Sequence, residues 1–167
     1  METIAVYWES KVKVYSITHI TGLSLSSLIF PIKTTEKIGN ALIDLEHSIQ
    51  RFELVTQDYI DSTLSQINLF YDRSKEEITE KVMSAWCEKM QATITSTSPL
   101  ELIYLHGPHF QERFGIADIV FSALRNDNIN IITAGCAGTT IYIAVPNKSA
   151  VPATRILRET FILPINN

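Results

Sequence analysis

His106 and His109 bracket Gly107-Pro108, and Glu112 follows close by. Imidazole and carboxylate donors at such spacing raise the question of a metal. A metal needs at least one ligand beyond the two histidines, and Glu112 is the only local candidate. The pair therefore reads as ordinary loop histidines. Cys136 stands in Gly135-Cys136-Ala137-Gly138, with no Lys, Arg or His beside it in sequence to turn it into a reactive thiolate. Cys87 and Cys136 lie 49 positions apart without a Cys-x-x-Cys spacing, so neither a disulfide scaffold nor a structural zinc site is expected. Both read as reduced structural thiols. Asp58 and Asp61 imitate a carboxylate dyad, but their setting in a turn between strands puts them in solvent. Lys75-Glu76-Glu77 with Glu80-Lys81 is the solvated face of a helix. No glycine-rich phosphate loop, Ser-His-Asp order or paired-cysteine motif occurs. The reading assigns no catalytic residue, no metal ligand and no cofactor.

The composition narrows the classes further. The chain has 167 residues, 46% of them hydrophobic and 19% charged, with 14 Lys+Arg against 18 Asp+Glu for a net charge of −4. It is too apolar for disorder and suits one domain, or two small ones. Without a cluster of Lys and Arg to replace phosphate counterions, nucleic acid and anionic membrane surfaces are not expected partners. No apolar run is long enough to span a bilayer, and Met1-Glu2-Thr3 lacks the basic segment of a signal peptide, so the expected location is cytoplasmic. With 23 Ile and 16 Thr but only 6 Gly and 6 Pro, β-branched residues dominate, and sheet should be prominent.

The elements follow from periodicity and punctuation. Ile4-Ala5-Val6-Tyr7-Trp8, then 12–17, then 23–30 read as strands, with Thr21-Gly22 as a turn between the last two. Thr34 or Thr35 should cap a helix whose stripe is Ile38, Leu42, Leu45 and Ile49. Residues 51–58 and 64–71 are strands around Ile60-Asp61-Ser62. Asp72 or Ser74 should cap a second helix with the stripe Ile78, Val82, Ala85/Trp86 and Met90, its Glu76 and Glu77 favourably near the positive end. A Thr/Ser stretch over 93–98, a polar strand or a connector, precedes a strand over 100–106. A third helix carries Phe114, Ala117, Phe121 and Leu124 and ends at Asn126-Asp127-Asn128. Strands over 129–134 and 139–145 flank the Gly135–Gly138 turn, and a last helix beginning at Ser149 carries Val151, Ile156, Leu157 and Phe161, with Pro152 in its first turn.

Strand–helix–strand–strand–helix order therefore occurs twice. That recurrence predicts an α+β protein made of two ferredoxin-like βαββαβ units, antiparallel sheets with helices on one face. The first should span 23–100 and the second 101–163, the latter completed by a strand from 11–20.

In the second half the residues become more specific. Phe114-Gly115-Ile116-Ala117-Asp118-Ile119-Val120-Phe121-Ser122-Ala123-Leu124, then Asn128-Ile129-Asn130-Ile131, resembles an ACT domain, with Gly at the loop-to-helix junction, a helix ending "aL" and a strand beginning "xNI". More narrowly, the chain resembles the regulatory region of aspartokinases without the kinase domain. Leu157-Arg158-Glu159-Thr160-Phe161-Ile162-Leu163 is similar to their "LHExFxL" ending, and Val55-Thr56-Gln57-Asp58 to their "VxQN" strand. It departs from them at Phe30-Pro31-Ile32-Lys33-Thr34, where "DxPG" is usual, at Gly135-Cys136-Ala137-Gly138 in place of "STSE", and at Gln111-Glu112-Arg113-Phe114-Gly115 in place of "KSHPG".

The resemblance implies a non-catalytic, homodimeric sensor in aspartate-family amino-acid biosynthesis, binding a small amino acid (lysine or threonine) and possessing a biosynthetic enzyme as a partner. An amino-acid carboxylate needs backbone N–H groups, which a loop entering a helix supplies at Gly115, Ile116 and Ala117. Asn130 and Ile131 would face them from the adjacent strand. In the first half the loop around 33–35 is the equivalent, and Glu53, Gln57 and Asp58 fall where the family places its acidic residue and Gln-Asn pair. The alternative is an ACT-like protein-interaction module that has lost effector binding, which the missing "DxPG" and "STSE" elements favour.

Overall fold

Alternating apolar and hydroxyl residues draw residues 16–31 into one long strand, β1 (Ser16–Pro31), rather than two. The computed structural model describes residues 11–107, 110 and 115–164, so the expected strand at Ile4–Trp8 and the residues His109, Glu112 and Phe114 lie outside the described residues. Thr21-Gly22 is not a turn. Gly22 takes a φ of 72° within β1, and from Leu23 the strand pairs antiparallel with β3 (Leu64–Asp72), from Leu23↔Asp72 to Pro31↔Leu64. A short 3-10 turn then leads into α1 (Thr35–Ile49). Neither expected threonine accepts a helix N–H. The Thr34 and Thr35 hydroxyls donate backwards instead, to the Pro31 and Ile32 carbonyls at 2.7 and 2.6 Å.

β2 (Leu54–Tyr59) pairs antiparallel with β3, and the Asp72 carboxylate accepts the Ser74 N–H at 2.8 Å, capping the turn that starts α2 (Glu76–Met90). The buried stripe of α2 is Thr79, Met83, Trp86 and Met90, one residue beyond the expected Ile78 and Val82, and Ile78 is exposed. Thr79 tolerates the interior because its hydroxyl donates to the Lys75 carbonyl at 2.8 Å. Of the two readings of the Thr/Ser stretch the polar strand holds: it is the first half of β4 (Thr93–His106).

α3 (Ile116–Asn126) buries Ile116, Val120 and Leu124, which leaves the expected Phe121 and Ala117 exposed. Gly135, Cys136 and Ala137 belong to β5 (Thr133–Ala137), and the reversal into β6 (Thr140–Pro146) falls at Gly138-Thr139. Cys136 is exposed, so its thiol is not a packing group; Cys87 is half-buried. α4 (Ala150–Thr160) closes the order; of its expected apolar residues, Leu157 and Phe161 are buried and Val151 is exposed.

Two compact units result, one Gly22–Leu100, the other joining the chain up to Thr21 to the chain from Glu101 onward. In the Gly22–Leu100 unit the strand order is β2-β3-β1-β4. Leu28, Phe30, Ile67, Leu69 and Tyr71 from one sheet face pack with Ile38, Leu45, Met83 and Trp86 from α1 and α2. In the other unit the order is β1-β4-β6-β5, and Ile103, Leu105, Ile141 and Ile143 pack with Val120, Leu124, Ala153 and Leu157 of α3 and α4. Alternation along each strand puts one apolar row under the helices, and burying each such side chain contributes about 1.5–3 kcal/mol. Residues 12–14 join the second of these units by main-chain bonds, Val14 N–H to the Ile162 carbonyl at 2.9 Å and Ile162 N–H to the Val12 carbonyl at 3.0 Å.

Polar atoms inside the Gly22–Leu100 unit are paired. Ser24 and Ser98 both donate to Glu76 Oε2, at 3.1 and 3.0 Å, and Ser26 Oγ lies 2.9 Å from Tyr71 Oη. Burial pushes the Tyr71 phenol above its usual value of 10.0, the Ser26 hydrogen bond opposing and the Glu76 and Glu80 charges adding to it. A phenol whose pKa is raised by folding contributes stability that is intact below pH 10 and lost as pH rises through the folded value. Denaturant midpoints measured from pH 9 to pH 11.5 should fall in the wild type, and Tyr71→Phe should flatten part of that fall. An identical slope in the variant would show that Tyr71 does not ionise with unfolding.

Candidate functional site

The α3 segment carries an acid and a base seven residues apart, Asp118 and Arg125, on its solvent side. Seven residues are two turns, so both side chains fall on one face, about 10.5 Å apart along the axis at 1.5 Å per residue. The helix C-terminus is finished by Asn128 at a φ of 58°, and the Ile129 N–H returns to the Leu124 carbonyl at 2.9 Å. That return brings residues 128–131 back along the helix. Between them lies a groove of about 570 Å³, lined among others by Asp118, Phe121, Ser122, Arg125, Asn130 and Ile131. It has a carboxylate, a guanidinium, a hydroxyl and an apolar floor: an ammonium site, a carboxylate site and room for a short chain, in the size range of small-molecule pockets.

Of the expected residues in this half, Asn130 and Ile131 line the groove. Gly115, Ile116 and Ala117 lie at the other end of the same helix and are not among its lining residues. Gly115 is the N-cap at a φ of 85°, a left-handed conformation that glycine adopts without steric cost. Ile116 is buried in the core and Ala117 is exposed. Asp118 and Arg125 escaped the sequence reading, although their i, i+7 spacing was visible.

In the Gly22–Leu100 unit, a cavity of about 600 Å³ opens where β1 runs into α1, lined by Pro31, Ile32, Lys33, Ser62, Thr63 and Leu64. One wall is the β2–β3 turn, which Asp61 holds by accepting from Thr63 N–H, Thr63 Oγ1 and Leu64 N–H at 2.6, 2.8 and 2.9 Å. The Thr63 N–H first, with its hydroxyl and the Leu64 N–H, keeps the Asp61 carboxyl below its usual 3.8. Glu53, Gln57 and Asp58 do not line this cavity. Glu53 accepts from Arg51 Nε at 2.9 Å, Gln57 Nε2 donates to Ser65 Oγ at 3.1 Å, and Ser65 Oγ donates to the Asp58 carbonyl at 2.9 Å. They lie on or beside β2, the outer strand of its unit.

The histidine motif resolves differently. His106 Nδ1 lies 2.9 Å from Thr140 Oγ1, and its ring stacks on Tyr104 with centroids 6.2 Å apart. Among the described residues no group of three His, Cys, Asp or Glu is placed to hold a metal, and no helix is long and apolar enough to cross a membrane.

Residues 103–161 match the family model of the ACT domain. That segment is similar to an ACT domain. It takes in the α3 groove, and the Gly22–Leu100 unit repeats the same strand and helix order, so the fold is that of two ferredoxin-like ACT modules. Solved structures agree over nearly the whole length. The regulatory subunit of aspartate kinase from Thermus flavus superposes with a TM-score of 0.77 at 14% identity, covering 90% of this chain and 99% of that one. Aspartate kinase from Synechocystis does so at 0.77 and 14% identity, over 95% of this chain but 29% of the kinase. E. coli aspartokinase III in complex with lysine and aspartate gives 0.59 and 15% identity, over 92% of this chain and 34% of that one. No curated protein sequence matches the chain. At these identities the likeness is one of fold. It covers nearly the full length of a regulatory subunit and only about a third of a complete kinase.

Proposed function

We propose that this ACT protein is a non-catalytic, cytoplasmic amino-acid sensor of aspartate-family biosynthesis, acting as a homodimer on a biosynthetic enzyme. Its two modules are taken as 23–100 and 101–163, the second completed by 11–20. The observation that carries the reading is the α3 groove, which offers Asp118 and Arg125 on one helix face. An amino acid with cationic and anionic ends satisfies both. Their two-turn spacing favours lysine, whose four-carbon stem carries its ammonium well away from its carboxylate, over the shorter threonine. The likeness to a regulatory subunit of aspartate kinase, and to an aspartokinase in complex with lysine, supports the same choice. Asn130 and Ile131 would contribute from the facing segment, and Gly115, Ile116 and Ala117 would set the helix start. In the first module the Lys33 cavity is the equivalent, with Glu53, Gln57 and Asp58 on the neighbouring strand.

Thermal unfolding against single amino acids at millimolar concentration tests this. A ligand at a hundred times its Kd adds roughly 2.7 kcal/mol, and lysine should shift the midpoint while Asp118→Asn and Arg125→Gln abolish the shift. Both residues are exposed, so the variants should fold. No shift with any amino acid would overturn the sensor. The interaction module would then take its place, for which one observation already speaks: Val55, Tyr59 and Ile60 are 43%, 73% and 48% exposed along β2 and its turn.

A further inference from the structure

A second groove, of about 520 Å³, runs along the opposite helix of the same unit, lined by His19, Val151, Thr154, Arg155, Arg158 and Glu159. Val151, Thr154, Arg155 and Arg158 stand at i, i+3, i+4 and i+7, one face of α4, and His19 faces them from β1. We propose that this groove is an oxyanion site, separate from the α3 groove, for a small molecule bearing a phosphate or carboxylate group.

Three features carry this. The charges converge: two guanidinium groups and an imidazole meet a single carboxylate, Glu159, and Lys11 Nζ adjoins the same end by donating to the Glu159 carbonyl at 2.6 Å. A protein of net charge −4 gathers cations here against its overall balance. The guanidinium groups are also differently prepared. Arg158 Nη2 donates to the Ile17 carbonyl at 3.3 Å, which orients its fork and leaves further N–H groups to bond an anion, whereas Arg155 has no hydrogen bond or ion pair among the described residues. Planar guanidinium donors in this arrangement suit the paired oxygens of phosphate and carboxylate. Finally, Thr154 is 7% exposed, and its buried hydroxyl has no hydrogen-bond partner among the described residues. Helical threonines ordinarily bond the carbonyl four residues back. Rotation of the Thr154 side chain would turn this unpaired hydroxyl from the buried wall toward an acceptor that arrives with a ligand.

The test is an amide NMR titration of the full chain with inorganic phosphate, and in a second arm succinate, at ionic strength held constant with chloride. Saturable shifts should appear at Ile17, His19, Thr154, Arg155 and Arg158 with at least one of the two anions. Phosphate alone would identify a phosphate-ester ligand, and succinate alone a polycarboxylate. Arg155→Gln, at an exposed side chain without a hydrogen bond or ion pair among the described residues, should weaken binding at least tenfold, and Arg158→Gln likewise. Shifts that grow linearly and match those of chloride would overturn the site. So would shifts centred on Asp118 and Arg125, or affinity unchanged in both arginine variants.

Discussion

Gly107→Ala is expected to destabilise the protein by about 3 kcal/mol, between the usual cost of overpacking and that of losing a core phenyl ring. For a chain of this length that lowers the melting midpoint by roughly 6–12 °C. A Cβ at position 107 would lie 2.2 Å from both Cε1 and Cζ of Phe110. Phe110 is 4% exposed and belongs to the core formed with Ile116, Val120, Ile141 and Leu157, so its ring has no vacant direction in which to retreat. The backbone of Gly107 is not in the left-handed region, and its N–H is held by the Thr139 carbonyl at 2.8 Å. The whole cost is therefore steric. Phe110→Leu should cost stability alone but recover part of the loss when combined with Gly107→Ala, because the two side chains compete for one volume. Additive losses in the double variant, measured by urea unfolding, would show that the ring is not what excludes the methyl.

The second large effect is expected at Glu101. Its carboxylate is 5% exposed and accepts the Ala150 N–H at 2.7 Å, at the start of α4, where the Ser149 side chain makes no capping bond. A negative charge at the positive end of a helix, in a buried setting, is a strong form of N-cap. Glu101→Ala leaves the buried Ala150 N–H without an acceptor and opens a void, for an expected loss of about 3 kcal/mol. Glu101→Gln keeps an acceptor oxygen and should lose only about 1 kcal/mol. Guanidinium unfolding of both variants decides the matter: equal losses would mean that the charge, not the acceptor, carries the effect.

The repeated order of strands and helices was legible because it depends on local periodicity, and two α+β units followed from it. The buried faces of α2 and α3 were not. Ile78/Val82 and Thr79/Met83 form adjacent apolar rows on α2, as Ala117/Phe121 and Ile116/Val120 do on α3, and only the strands beneath decide which row turns inward. Thr79 is polar, yet the Lys75 carbonyl at the N-cap of the helix satisfies its hydroxyl. Thr21-Gly22 misled in another way. A turn dipeptide marks a change in backbone direction, and β1 runs on through it as one strand, with Gly22 at a φ of 72°. Within the α3 groove, Asp118 and Arg125 were readable from spacing alone. The cap supplied by Glu101 and the groove between His19 and α4 were not, since they join residues far apart in the chain.

That same separation bears on how the molecule is made. The Gly22–Leu100 unit draws its polar network from residues no further apart than Ser24 and Ser98, a separation of 74. The bonds that hold residues 11–21 in their unit reach Arg158 and Glu159, at separations of 141 and 148. A ribosome delivers the chain from its N-terminus, and domains tend to close as they emerge. The middle of this chain can therefore finish folding first, while residues 12–14 and the start of β1 wait for the end of the chain, around Ile162, to satisfy their main-chain groups. Long-range pairing of this kind slows folding and leaves an aggregation-prone edge open meanwhile. Translation speed past residue 100 thus becomes a determinant of yield.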